Sequence, residues 1–289
     1  MSRPPFMGLP PRTRAYRLET DRGSFAVLDA APPAGTARRG TALLLPGFTG
    51  SKEDFIALLQ PLTAAGFRMV AVDGRGQHET GGPRSENAYA QAELAADAVA
   101  QAAALKDGGG PVHLLGHSMG GHVARAAVLA EPGPWASLTL MSSGPGAIDV
   151  AQQSRTKLLI DALSVMGMER VWAAMRAMDE EQAEEAVGTD GIEEFLCRRW
   201  LGNVPEQLIV TGRQLIAERD RVGELAAVAA LPKLVVSGAV DHVWPVPWLD
   251  RMAERLSARR VVIDGAEHSP NTERPSETAE ALAAFWRDA

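Results

Sequence analysis

The segment Val112-His113-Leu114-Leu115-Gly116-His117-Ser118-Met119-Gly120-Gly121 carries an apolar run into a serine with a glycine two residues away on each side. Small and aliphatic residues dominate 122–130, which follow. The pattern predicts a strand, a very tight turn and a helix, with Ser118 at the apex. Such a turn forces the serine into a strained backbone conformation. Glycines at 116 and 120 leave room for neighbouring segments, because they carry no Cβ. The hydroxyl would then stand at the carboxyl end of a sheet, beside a helix N-terminus whose free N–H groups favour negative charge. A hydroxyl is a poor nucleophile at neutral pH. It needs a base within hydrogen-bond reach, a group that orients the base, and donors aimed at a developing oxyanion. The competing reading of Ser118 is an ordinary helix-capping serine.

The elements that would position this serine are legible along the chain. Residues 14–20 and 24–29 read as short strands around Asp21-Arg22-Gly23, a hairpin signal. Residues 41–46 and 67–72 read as continuous apolar strands, of the kind buried on both faces. Between them Ser51 reads as a helix cap with Asp54 three residues on, and Gly66 ends that helix. Residues 87–106 read as a long alanine-rich helix closed by Gly108-Gly109-Gly110. Strands follow at 111–115 and 137–142. The alternation then stops, and 145–228 hold helical patterns with no convincing strand. It resumes with a strand at 233–237, a helix at 247–257, a strand at 259–263 and a final amphipathic helix at 275–287. Strands alternating with helices predict an α/β fold, a mostly parallel sheet with helices on both faces. The expected division is a core of 1–144 and 229–289 with a helical block, 145–228, inserted in it.

Strand, Gly-x-Ser-x-Gly, helix, then an acid and a histidine after later strands is the order of the α/β-hydrolase fold. The sequence resembles that superfamily from about Tyr16 to Trp286. Gly116-His117-Ser118-Met119-Gly120-Gly121 resembles its nucleophile elbow, and Leu45-Pro46-Gly47-Phe48-Thr49-Gly50 its oxyanion loop. Ser237-Gly238-Ala239-Val240-Asp241-His242 resembles its acid turn. Gly265-Ala266-Glu267-His268-Ser269 resembles its histidine loop, and Glu273-Arg274-Pro275 opens the terminal helix as in many members. Two departures stand out. Pro46 precedes Gly47 where many members have histidine. Asp73-Gly74-Arg75-Gly76-Gln77-His78-Glu79-Thr80 replaces the usual Asp-x-Arg-Gly-x-Gly-x-Ser, in a loop that often borders the pocket.

The resemblance implies Ser118 as nucleophile, His268 as general base and Asp241 as the acid that orients it. Of the six histidines, only His268 fits the order serine, acid, histidine. His113 lies within a strand, His117 and His122 are too close in sequence to fold back onto Ser118, His78 precedes the nucleophile, and His242 directly follows the acid. Asp149 is the alternative acid, after the earlier strand, and Asp264 ends a strand and is expected to point elsewhere. The oxyanion donors are expected to be the N–H groups of Phe48 and Met119. The helical block resembles a cap, in which Trp172, Met175, Met178, Phe195, Trp200 and Leu201 are read as internal packing. Arg198 and Arg199 are read as a solvated helix face, with binding of an acidic substrate as the alternative. Cys197 is read as packed filler.

Bulk properties narrow the field. The net charge of −7 and the lack of a basic run argue against nucleic acid and against an anionic membrane surface. A hydrophobic fraction of 46% over 289 residues allows a large core. One cysteine excludes an intrachain disulfide and fits a reducing compartment. Residues 1–14 lack the apolar stretch of a signal peptide, and no window approaches a membrane span, so the expected location is cytoplasmic. No metal-ligand set, dinucleotide fingerprint or phosphate loop is found, so neither metal nor cofactor is expected. The expected function is a serine hydrolase acting with water on a small-molecule carboxylic ester through an acyl-enzyme. Acyl transfer, thioester hydrolysis and C–C bond hydrolysis on the same residues are alternatives. A non-catalytic ligand-binding protein of the same fold is the alternative from another class. Oligomeric state is not legible.

Overall fold

The computed structural model describes residues 1–105, 110–180, 190–228 and 230–289. Its centre is an eight-stranded sheet in the order β1-β2-β4-β3-β5-β6-β7-β8. The strands are β1 (Thr13–Thr20), β2 (Gly23–Ala30), β3 (Gly40–Leu45), β4 (Phe67–Val72), β5 (Val112–His117), β6 (Trp135–Met141), β7 (Lys233–Gly238) and β8 (Arg259–Ile263). The β1–β2 hairpin and the β2–β4 pair are antiparallel, and β4 through β8 run parallel. This is the mostly parallel sheet that the alternation of elements predicts.

Period-two alternation divides each central strand between two cores. On β3, Leu43 and Leu45 enter one apolar cluster while Ala42 and Leu44 enter the other. The first cluster is completed by α2 (Gln91–Ala104), α3 (Met119–Ala130), α8 (Val222–Ala226) and α9 (Val246–Leu256). The second is completed by α1 (Ile56–Ala64) and α11 (Pro275–Asp288), the latter preceded by the short α10 (Pro270–Glu273). Both faces of the sheet are therefore buried, which is why its strands read as unbroken apolar runs.

The helix expected at 87–106 is divided. A 3₁₀ turn occupies Glu86–Tyr89, Ala90 is extended (ψ 143°), and the α-helix begins at Gln91. The break lets Tyr89 bury its ring completely and donate its hydroxyl to the Pro83 carbonyl at 2.7 Å. The expected end of that helix at Lys106, with Gly108 and Gly109, lies outside the described residues.

Between β6 and β7 the described residues hold α4 (Val150–Val165), α5 (Met168–Glu180), α6 (Asp190–Gly202), α7 (Pro205–Ala217) and α8, and no strand. They have an apolar cluster of their own, which includes Ile160, Leu163, Val171, Trp200 and Leu208. Phe48 packs against both this cluster and the first sheet core, and so bridges them. The expected boundary at residue 229 lies outside the described residues. No helix among the described residues is long and apolar enough to cross a membrane.

Candidate active site

The chain runs β3, then β4 on one side of it, then β5 on the other. The sheet order therefore reverses between β3 and β5, where open α/β sheets form a crevice at the carboxyl ends of their strands. The loop after β3 carries Gly47 and Phe48, and Ser118 follows β5. Asp241 follows β7 and His268 follows β8. Parallel strands thus deliver all of these residues to one edge of the sheet.

Ser118 has φ 54° and ψ −120°, the strained turn that its glycine neighbours permit. A Cβ on Gly116 would collide with the Gly120 carbonyl, and one on Gly120 with the Leu45 and Pro46 carbonyls. The Ser118 N–H donates to the Met141 carbonyl at 2.9 Å, which ties the turn to β6. Met119, immediately after it, is the first residue of α3, so its N–H lacks an intrahelical acceptor. A Cβ on Gly47 would lie 3.3 Å from the Ser118 Cβ, so the Gly47–Phe48 segment abuts the serine.

His268 Nε2 lies 3.0 Å from Ser118 Oγ. Its Nδ1 lies 3.0 Å from each carboxylate oxygen of Asp241. With the Nδ1 proton donated to Asp241, Nε2 is free to accept the serine proton. The Asp241 side chain is 0% exposed, and its Oδ1 also accepts the N–H groups of Val243 (2.8 Å) and Trp244 (3.1 Å). His268 is itself held from behind. His117 Nε2 donates to the His268 carbonyl at 2.9 Å, and burial lowers the His117 pKa to about 4, so that ring is neutral. The Glu273 carboxylate accepts the N–H groups on both sides of His268, from Glu267 and, at 3.2 Å, from Ser269.

The four loops enclose a cleft of about 370 Å³ whose walls include Gly47, Phe48, His117, Ser118, Val243 and His268. Gln152 and Thr156 of α4 and Leu215 of α7 complete one side. An imidazole between a buried carboxylate and a hydroxyl can move one proton off the oxygen and back.

Several expectations need revision. Arg199 is not on a solvated face. It is 0% exposed and donates to Asp54 Oδ1 at 2.7 Å and to the Ser2 carbonyl at 2.7 Å. Neighbouring helix positions lie about 100° apart, and Arg199, four residues after the buried Phe195 and over its ring, shares the inward face of α6 while Arg198 does not. Arg198 is the exposed one, 3.4 Å from Glu194. Phe195 and Trp200 are buried, and Trp172 and Met175 half-buried, within the helical block, whereas Met178 and Leu201 are exposed. None of these six lines the cleft with Ser118. Asp149 caps α4 by accepting the Ala151 N–H at 2.9 Å, and Asp264 is exposed. His113 is buried in β5 against Ser137 Oγ at 2.8 Å.

Gln77 escaped the sequence reading, although the unusual loop that holds it did not. Its Nε2 donates to the Gly47 carbonyl at 2.8 Å, and its Oε1 accepts the Gly74 N–H at 3.0 Å. Lys52 Nζ, from the 3₁₀ turn Lys52–Phe55, meets Asp73 and Glu79 of that loop at 2.8 and 2.7 Å and its own neighbour Glu53 at 2.8 Å. Burial opposes the Lys52 charge, but Asp73 and Glu53 outweigh it and raise the pKa. Glu53, His78 and Glu79 present ligand atoms within 4.8 Å of one another, yet the Lys52 ammonium already supplies the positive charge to both carboxylates.

The alpha/beta hydrolase family model matches residues 42–281. The chain belongs to the alpha/beta hydrolase family. Among relatives of this alpha/beta hydrolase, the 2-hydroxy-6-oxononadienedioate/2-hydroxy-6-oxononatrienedioate hydrolase 1 of Dechloromonas aromatica is 31% identical over 219 residues, covering 70% of this chain and 69% of the relative. The pimeloyl-[acyl-carrier protein] methyl ester esterase of Edwardsiella ictaluri is 28% identical over 253 residues, covering 84% and 92%. An esterase of Exiguobacterium antarcticum has the same fold, with a TM-score of 0.76 at 19% identity, covering 95% of this chain and all of that one.

Proposed function

We propose that this alpha/beta hydrolase is a serine esterase that cleaves a carboxylic ester through an acyl-enzyme. The observation that carries the reading is the unbroken chain of contacts from Ser118 Oγ through His268 to Asp241, each link 3.0 Å long. Ser118 Oγ bonds to the carbonyl carbon as its proton passes to His268 Nε2. The alcohol leaves when its C–O bond breaks, taking that proton. Water then attacks the acyl carbon and gives a proton to His268. The Ser118 ester bond breaks, the acid is released, and the proton returns to Ser118. Asp241 fixes the imidazole and stabilises its charged form. The N–H groups of Phe48 and Met119 hold the oxyanion. The contact of Gly47 with Ser118, and the place of Met119 at the start of α3, support that assignment. The route uses no cofactor or metal. We read 145–228 as a cap on a core of 1–144 and 229–289, because α4 and α7 supply cleft walls while packing on their own cluster. A single cysteine fits work in the cytoplasm.

The test is Ser118→Ala, which should lower kcat by about 10⁶ and abolish labelling by a fluorophosphonate. Activity that survives the change refutes the assignment. C–C bond hydrolysis is a second reading, favoured by the relatives named as oxononadienedioate hydrolases. Measuring turnover of such a dioate and of simple esters with one preparation separates the two.

A further inference from the structure

Asp241 is aimed by the backbone that follows it. Its Oδ1 accepts the N–H groups of Val243 at 2.8 Å and Trp244 at 3.1 Å, so the carboxylate moves with residues 243 and 244. That stretch is fastened in turn to residues 146–149, which lead into α4. The Trp244 indole Nε1–H donates to the Gly146 carbonyl at 2.9 Å, and the Asp149 N–H donates to the Val243 carbonyl at 2.9 Å. The lead-in has anchors of its own. Arg125 of α3, the helix that starts beside Ser118, donates to the carbonyls of Gly144 at 3.2 Å and Pro145 at 2.9 Å. The N–H groups of Ala147 and Ile148 donate to the carbonyls of Glu218 at 2.9 Å and Leu215 at 3.1 Å, at the end of α7. Trp244 is fully buried, and a Cβ on Gly144 would collide with its indole ring. Gly144 lies outside the left-handed region, so its missing Cβ serves the indole and not the backbone. His122 meets the indole edge-on at 5.2 Å, and the His268 ring lies 6.2 Å from it.

We propose, resting on the esterase reading, that Trp244 is a positioning residue for Asp241. Together with the Asp149 N–H, its indole holds residues 243 and 244 against the lead-in to the helical block and so keeps the carboxylate aligned with His268 Nδ1. Trp244 touches no reacting atom and acts only through Asp241. A small misplacement of a group that must orient the base is enough to slow the chemistry by tenfold or more. The rival role is core filling, and Trp135 supplies the comparison. It is buried in the same apolar cluster, and its indole donates to the Glu131 carbonyl at 2.8 Å. It stands at the amino end of β6, on the edge of the sheet away from Ser118.

The test measures the rate at which an alkyl fluorophosphonate labels Ser118, with kcat and KM on a p-nitrophenyl ester beside it, in Trp244→Phe and Trp135→Phe. Both variants lose a buried indole N–H. Trp244→Phe should slow labelling and kcat by about tenfold each, with KM within about twofold. Trp135→Phe should leave both rates within about twofold of wild type. The proton between His268 Nδ1 and Asp241, identified in the far-downfield NMR spectrum by its loss in Asp241→Asn, should shift in Trp244→Phe and stay in place in Trp135→Phe. Wild-type rates in folded Trp244→Phe overturn the proposal. Equal losses in the two variants overturn it too, since the indole would then only fill core. Should Trp244→Phe not fold, the second fastening decides. Asp149 has φ −54°, which proline adopts, so Asp149→Pro deletes the N–H that reaches Val243 while Asp149→Ala keeps it. Labelling several-fold slower in Asp149→Pro than in Asp149→Ala supports the proposal, and equal rates overturn it alone. No labelling of the folded wild type overturns the esterase reading and this one together.

Discussion

Gln77 Nε2 and the Gly47 carbonyl are joined by a buried hydrogen bond of 2.8 Å. The Gly47 carbonyl and the Phe48 N–H belong to one planar peptide unit and point in opposite directions. Holding the carbonyl therefore sets the aim of the N–H. The Gly50 N–H reaches the same carbonyl at 3.2 Å, so the loop is drawn tight around it.

On the proposed role of the Phe48 N–H as an oxyanion donor, which acts on the transition state, Gln77→Leu should lower kcat by about 10- to 100-fold while KM stays within about twofold. Affinity for a trifluoromethyl ketone, whose adduct with Ser118 carries an oxyanion, should fall by the same factor. Steady-state kinetics and inhibition constants check this. An unchanged kcat, or a loss confined to KM, would detach Gln77 from the oxyanion.

Asp241→Asn keeps the shape of the acid but replaces an acceptor with an amide. The imidazole then loses the partner that keeps its proton on Nδ1, and Nε2 no longer faces Ser118 as the base. A drop in kcat of about 10⁴ is expected, smaller than for Ser118→Ala, with the fold intact. Circular dichroism alongside kinetics reads both. A loss below about tenfold would point to another acid.

Much of this site is written locally. Gly116, Gly120 and the apolar run before them specify the elbow, because only a strand meeting a helix at a strained turn needs that spacing. Val112, Leu114 and Leu115 divide between two cores, and that double burial is visible as an unbroken apolar strand. What escapes is contact between segments far apart in sequence. Nothing local to Arg199 indicates that Asp54, 145 residues earlier, awaits it. Nothing local to Gln77 indicates a carbonyl 30 residues earlier. The break at Ala90 escapes for the same reason, since the burial of Tyr89 overrides a good helical pattern.

Arg199 and Asp54 form a fully buried ion pair between α6 and the loop that follows Phe48. Removing one partner strands the other charge away from water. Arg199→Met should therefore destabilise the fold by about 3–5 kcal/mol. The double variant Arg199→Met, Asp54→Leu should recover most of that loss, since two apolar side chains replace two charges that had to be desolvated together. Urea unfolding of the four proteins of this cycle measures the coupling. Simple additivity of the two single changes would remove the pair from any part in holding the helical block to the core.

His113 supplies a pH dependence whose sign follows from burial. The ring lies between Phe67 and Trp286, and burial lowers its pKa from 6.5 to about 4. Below pH 6.5 the unfolded chain binds a proton there that the folded chain refuses. Its contribution to stability is thus complete above about pH 6.5 and is lost as the pH falls toward 4. One such proton is worth about 1.4 kcal/mol per pH unit, or about 3 kcal/mol over the window. Other buried groups, including His117 and the carboxyl of Asp73, which burial raises to about 7, titrate in the same range. Their contributions are common to the wild type and to His113→Gln, which can still reach the Ser137 hydroxyl but carries no charge. The variant should start less stable near neutrality and lose stability less steeply between pH 6.5 and 4. Unfolding free energies of both proteins across that range decide it. Parallel curves would mean that His113 takes up its proton in the folded state as readily as in the unfolded one.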